Sequence, residues 1–147
     1  MKAVVQRVKK TTLSVDNKLI SEIEKGLVVY LGVKSGDEKS SAEYLAKKIS
    51  AMRIFEDENG KMNLGIKEVG GQILVVSQFT LLGDTSHGNR PSFIDAEKPE
   101  RANELYEYFV SLLQNEYGIE TKKGVFGADM QISQHNDGPV TILMEKE

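Results

Sequence analysis

The stretch Gln72-Ile73-Leu74-Val75-Val76-Ser77-Gln78-Phe79-Thr80 decides the fold. Ile73 to Val76 are consecutive, apolar and mostly β-branched, a pattern that suits a strand covered on both faces better than one with a wet side. Such a strand needs partners above and below it, which makes the chain an α/β protein. The stretch then turns polar, and Ser77, Gln78 and Thr80 set two hydroxyls and an amide at a strand end, where pockets open in α/β sheets. The same groups also serve simply to close a strand and satisfy neighbouring backbone, so the motif by itself does not fix a function.

Toward the amino terminus, Gly26-Leu-Val-Val-Tyr-Leu-Gly-Val33 is a second dense apolar run bounded by glycine, consistent with another central strand. Before it, Ala3 to Val8 and Thr12 to Val15 alternate weakly, and Asp16-Asn17, a pair tolerant of positive φ, leads into Lys18 to Ile23. This reads as a strand followed by a hairpin. Between the two core strands, Ser35-Gly-Asp-Glu38 supplies capping side chains and early acid for a helix. Ala42, Leu45, Ala46, Ile49 and Met52 then share one helical face. Arg53 to Phe55 predicts a short strand and Glu56-Asp-Glu-Asn-Gly60 a charged turn. Lys61 to Leu64 leads on through Gly65 and Gly70-Gly71 to the opening stretch.

Toward the carboxyl terminus, Leu82 to Glu97 has little periodicity and holds Gly83, Gly88 and Pro91, which predicts an extended surface loop of the long kind that tends to be functional. Pro99 suits a first helical position, and Ala102, Leu105, Tyr106, Phe109, Leu112 and Leu113 form an apolar stripe. A second helix therefore runs to about Glu116 and stops at Gly118. Ile119 to Lys123, Met130 to Ser133 and Val140 to Met144 alternate as three late strands. Asn136-Asp-Gly-Pro139 is a dense turn between the last two, with a trans Gly138-Pro139 bond as the ordinary expectation. No repeat, linker or low-complexity segment divides the chain.

The 147 residues suffice for one domain that folds without staples, burying roughly 70% of its unfolded surface. With no cysteine there are no disulfides, thiol nucleophiles or thiolate metal sites. Gln6 and Arg7 fall where a signal peptide needs its apolar core, and no apolar run approaches the ~18 residues of a membrane span. The expectation is a soluble, unprocessed cytoplasmic protein with no membrane attachment. A formal charge of −3 and a pI near 5.5 argue against a protein that coats nucleic acid. They leave room for one that grips a single end through local groups such as Arg90 or Lys122-Lys123.

The two histidines, His87 and His135, do not build a familiar centre. His87 follows Ser86 in the loop, no Gly-x-Ser-x-Gly elbow is present, and His135 with Asp137 makes only a weak ligand pair. No metal and no cofactor is expected. Tyr106 and Phe109 fall on the helical stripe with leucines and read as core. Phe79, flanked by polar residues, and Phe126, between Gly124 and Gly127, suit either core packing or stacking on a planar ligand.

Ser77-Gln-Phe-Thr80 together with Asn136-Asp-Gly-Pro-Val-Thr141 resembles the motif pair of D-aminoacyl-tRNA deacylases of the bacterial and eukaryotic type. Ala3-Val-Val-Gln-Arg-Val8, Gly60-Lys-Met-Asn63, Gly88-Asn-Arg-Pro-Ser-Phe93, Leu105-Tyr106 and Phe126-Gly-Ala-Asp-Met130 extend the resemblance over essentially the whole chain. The fold expectation is α/β (α+β), a mixed, strongly curved β-sheet covered by two main helices in a single domain over residues 1–147.

The resemblance implies a homodimer that hydrolyses the ester joining a D-amino acid to the 3′-terminal adenosine of tRNA, with glycine also cleaved. Ser77, Gln78, Phe79 and Thr80 are the catalytic segment it implies. Gly138, Pro139, Phe126, Met130 and Asn136 are its substrate-binding residues, and the aminoacyl-tRNA 3′ end is its partner. The family's Gly-Pro peptide is cis and reaches into the pocket of the other subunit, which sets Gly138 and Pro139 opposite the partner's catalytic segment in a composite site. A rigid carbonyl pair that takes the ammonium and fills the space of an L side chain selects by steric exclusion. Thr80 has no visible base to activate it. The chemistry the resemblance implies in its place is assistance by the adenosine 2′-hydroxyl, with the oxyanion held by backbone N–H groups around Phe79 and Thr80 and Thr80 positioning substrate or water. A non-catalytic RNA-end or protein-binding module of the same fold, and an esterase of small molecules, are the alternatives.

Overall fold

The computed structural model describes residues 1–147. In chain order the elements are β1 (Lys2–Val15), β2 (Lys18–Ile23), β3 (Gly26–Gly32), α1 (Lys39–Ala51), β4 (Phe55–Glu56), β5 (Met62–Leu64) and β6 (Gln72–Ser77). A 3₁₀ turn (Phe79–Leu82) follows, then α2 (Pro99–Ser111), a π turn (Leu112–Glu116), β7 (Thr121–Lys123) and β8 (Gln131–Glu145). The architecture is the mixed α/β domain with two main helices that the apolar patterning predicts.

Strand β6 lies between β3 and β7 and is parallel to both, and Ile73 to Val76 are all buried. Four consecutive apolar residues are needed because α1 and α2 cover one face while a smaller core covers the other. The helical face holds 24 buried residues, among them Val75, Leu45, Ile49, Leu105 and Phe109. The opposite face holds Val8, Leu13, Ile23, Val28, Leu74 and Val76. Full burial of each aliphatic side chain contributes about 1.5–3 kcal/mol, so this alternation of faces along β6 is the main local reason for its place at the centre. Tyr106 of α2 adds direction to that packing by donating its hydroxyl to Val75 O at 3.0 Å.

Curvature comes from β1, which is one continuous strand rather than two. Its first half pairs with β3 and its second half with β2, while β8 runs along its other edge throughout. The sheet rolls until β2 meets β7, where Ser21 Oγ donates to Lys123 O and Lys122 Nζ donates to Glu22 O at 2.8 Å. Asp16 and Asn17 make the hairpin turn with φ of 50° and 62°, as the pair predicts.

Several expectations are corrected. The late pieces Met130 to Ser133 and Val140 to Met144 are halves of one 15-residue strand, β8. Asn136-Asp-Gly-Pro139 does not reverse the chain. The ladder pairs Val8 with Asn136 and Gln6 with Thr141, so residues 137–140 bulge out opposite Arg7 alone and pairing then resumes. Within that bulge the Gly138–Pro139 peptide is cis, as the family resemblance implies and against the ordinary trans expectation for an X-Pro bond. Finally, Asp37 does not cap α1, whose N-cap Glu38 makes no side-chain cap bond. Its carboxylate accepts from Lys34 N at 2.7 Å and pairs with the buried Met1 ammonium at 2.7 Å, a stronger competitor than a helix N–H. Met52 likewise leaves the helix and sits at its C-cap in extended conformation.

The segment after the 3₁₀ turn is mostly irregular, as predicted; an isolated bridge between Asp84 and Ser92 closes it on itself, and a second, Lys34 to Ala96, pins it to the body. Gly118 ends the second helical stretch with a φ of 63°. No helix is long and apolar enough to cross a membrane.

Candidate active site

The end of β6 opens into a cavity of about 660 Å³. Gln78 N still donates to Leu31 O at 2.8 Å, extending the sheet by one bond, and the chain then winds into the 3₁₀ turn over the end of β3. Gly32 makes that crossing possible. A Cβ there would lie 2.9 Å from Gln78 O and 2.7 Å from Leu82 Cδ2, closer than a side chain tolerates. A second glycine shapes the far wall: a Cβ on Gly124 would lie 2.6 Å from Met130 Sδ, so its absence lets Met130 fold back toward the sheet.

The cavity is apolar inside and polar at its lip. Val33, Val76 and Ile132 line it from the sheet, and Phe126 packs beside Tyr106 with ring centroids 6.0 Å apart. At the mouth, Phe79 is 55% exposed and meets Phe93 edge to face at 5.2 Å, so the surface loop contributes one ring of the rim. Burial raises the Tyr106 pKa far above the usual phenol value, which keeps that hydroxyl a neutral donor to the sheet. Glu97 supplies the acid on the lining. Its carboxylate accepts from Lys98 N at 2.8 Å and Gly36 N at 3.2 Å, and these bonds hold its pKa below the ordinary 4.5.

A planar or aliphatic group therefore fits the interior, while Ser77, Gln78 and the first N–H groups of the 3₁₀ turn stand at the strand end. The leading N–H groups of any helical turn have no partner within it, and they are aimed away from its body. This arrangement combines an apolar recess with a few polar groups at its edge, the general pattern of a ligand pocket.

The family model described as D-Tyr-tRNA(Tyr) deacylase matches residues 4–145. The chain belongs to that family. It is 54% identical over 147 residues to a D-aminoacyl-tRNA deacylase of Desulfatibacillum aliphaticivorans, covering 100% of both chains. It is 51% identical over 147 residues to one of Thermosipho melanesiensis, covering 100% of this chain and 98% of that one. Among solved structures, a c-Myc DNA Unwinding Element Binding Protein superposes with a TM-score of 0.94 at 41% identity, over 100% of this chain and 99% of that one. A probable eukaryotic D-amino acid tRNA deacylase superposes at 0.81 with 16% identity over 97% of each chain, a likeness of fold alone.

In this member of the deacylase family the fold gathers Ser77, Gln78, Phe79, Phe126 and Met130 around one cavity. Thr80 stands apart from its lining, exposed on the 3₁₀ turn, where its hydroxyl accepts from Gln78 Nε2. Asn136, Gly138 and Pro139 are also outside that lining. They lie on the β8 bulge, on the edge of the sheet beyond β1. Both His87 and His135 are exposed.

Two contributors are not among the site residues expected from the sequence. Arg7 is only 4% exposed and anchors the bulge, donating from Nε to Asp137 O at 3.2 Å and from Nη1 to Ile54 O at 2.7 Å. The signal was available: Ala3 and Val5 point inward, so alternation puts the Arg7 guanidinium inward too. Glu97 gave no such signal, because its partner N–H groups on Gly36 and Lys98 are set by the loop's path.

Proposed function

We propose that this chain hydrolyses the ester bond of D-aminoacyl-tRNA and of glycine mischarged on tRNA, releasing the free amino acid and tRNA. The observation that carries the reading is the convergence of Ser77, Gln78 and Phe79 on an apolar cavity in a chain of this family. The aminoacyl group enters the cavity of one subunit, while Gly138 and Pro139 come from the bulge of a second. Their absence from the lining of their own subunit's cavity supports that cross-subunit arrangement.

Chirality is read by exclusion. At the α-carbon an L and a D residue exchange a side chain for a hydrogen, so backbone carbonyls of Gly138 and Pro139 that take the ammonium leave no volume for an L side chain. Glycine passes because it has none. At the reacting carbonyl, N–H groups of Phe79 and Thr80 hold the oxyanion, and the adenosine 2′-hydroxyl assists the attack. Phe126 and Met130 line the recess, and Asn136 sets the foot of the bulge. The 3′ end of the tRNA is the partner, the working form is a homodimer, and the cytoplasm is where charged tRNA is met.

Deacylation of one tRNA charged with the D and the L form of the same amino acid tests the proposal. Cleavage confined to the D form is the expected result, and equal cleavage of both hands overturns it. Likeness to a protein named for DNA binding favours a second reading, a nucleic-acid-binding module without turnover. Tight binding of the charged tRNA with the ester left intact selects that reading instead.

A further inference from the structure

Asn136 and Thr141 are the two feet of the bulge, since each still pairs with β1 while residues 137–140 do not. Four unpaired residues on an exposed edge swing unless their feet are tied. Here side chains from three strands tie them. Tyr30 on β3 donates its hydroxyl to Gln134 Oε1 at 2.9 Å. Gln134 Nε2 donates to Gln6 Oε1 at 2.7 Å and also to Asn136 Oδ1. Gln6 Nε2 in turn donates to Thr141 Oγ1 at 3.3 Å.

The chain of bonds has a direction. With a phenol as donor at one end, the Gln134 amide is oriented one way, and that orientation sets the Gln6 amide. Both branches finish on the bulge, one at each foot. Tyr30 and the Gln6 side chain lie on the sheet face of the smaller core, whereas Arg7 holds Asp137 from the helical face. The Gly138–Pro139 segment is therefore gripped from both sides of the sheet.

We propose that Tyr30 and Gln134 are positioning residues, which act through Gln6, Asn136 and Thr141 to fix the height and direction of the Gly138–Pro139 segment. The consequence for D-over-L selectivity rests on the reading given under Proposed function. Burial raises the Tyr30 pKa, so its hydroxyl stays protonated and donating across the working range.

The test compares Tyr30→Phe, which deletes one hydroxyl, with Tyr108→Phe, whose hydroxyl donates to Glu43 Oε1 at 2.6 Å away from the bulge. Two readouts are taken: ¹⁵N order parameters of Asp137, Gly138 and Val140, and the ratio of kcat/KM for D- and L-aminoacyl esters of one tRNA. In Tyr30→Phe the order parameters fall from a rigid value of about 0.85 toward about 0.6. The D:L ratio falls about tenfold, the effect of one lost hydrogen bond. Tyr108→Phe moves neither.

Unchanged order parameters in Tyr30→Phe overturn the proposal. So does an equal loss on both substrates with a lower melting temperature and a rigid bulge, which marks a merely structural tyrosine. A loosened bulge with an unchanged D:L ratio upholds the positioning and overturns instead the selective role of the segment. If the wild-type chain cleaves neither ester, the functional reading fails while the order parameters still decide the positioning.

Discussion

Thr80 is the hydroxyl a chemist would choose as nucleophile, and its surroundings argue against that choice. It is exposed, it receives a hydrogen bond from Gln78 Nε2, and no histidine or carboxylate accepts its proton. Activation by a positioned base is worth roughly 10²–10⁴ in rate, so an unactivated threonine adds little to attack. Thr80→Ala is therefore expected to retain turnover within about tenfold, whereas a tRNA ending in 2′-deoxyadenosine loses about 100-fold or more. Single-turnover deacylation measures both. A 100-fold loss in Thr80→Ala with an unimpaired deoxy substrate would return the nucleophile to Thr80. The sequence placed Thr80 correctly beside the strand end but could not show its hydrogen bond, which depends on how the 3₁₀ turn folds back on Gln78.

At the level of elements, the sheet centre was legible and its edge was not. The run Ile73 to Val76 admits one solution, because a strand with four buried residues in succession must have cover on both faces. The β8 bulge admits two, since Asn-Asp-Gly-Pro composition serves a reversal as well as it serves a bulge. Only the continuing partner, β1, decides between them. The cap of α1 was hidden for a similar reason: the Asp37 carboxylate finds the Met1 ammonium, far off in sequence. Glu97 shows how one such long-range contact becomes a property of the site. It ties the start of α2 to Gly36, and its folded pKa lies below 4.5, so its contribution to stability is complete above that value. As pH falls through the depressed folded pKa the carboxylate protonates and the contribution is lost. The urea midpoints of wild type and Glu97→Gln are expected to differ by a constant amount above pH of about 6 and to converge below 4.5. A gap that widens on acidification would show that Glu97 carries its charge at a cost to the fold.

For the whole molecule the decisive fact is that the two candidate halves of the site do not share a cavity. Ser77 to Phe79 line the recess at the end of β6, and Gly138 with Pro139 stand on the sheet edge beyond β1. One β8 edge has no partner over 15 residues, and Leu143 on that strand is 77% exposed. Soluble proteins seldom leave so long an edge bare, because its free N–H and C=O groups invite another chain. The proposed two-fold dimer would account for both facts together, since an isologous interface repeats each contact and can bring the bulge of each subunit to the cavity of the other. Complementation makes this quantitative. A Gln78→Ala chain and a Gly138→Val chain are each expected to be inactive as homodimers. After mixing and re-equilibration, half the dimers are heterodimers, and each pairs one intact cavity with one intact bulge. Activity then returns to about a quarter of wild type, half the dimers with half their sites working. If each site were built within one subunit, every cavity in the mixture would face a damaged bulge or be damaged itself, and no activity would return.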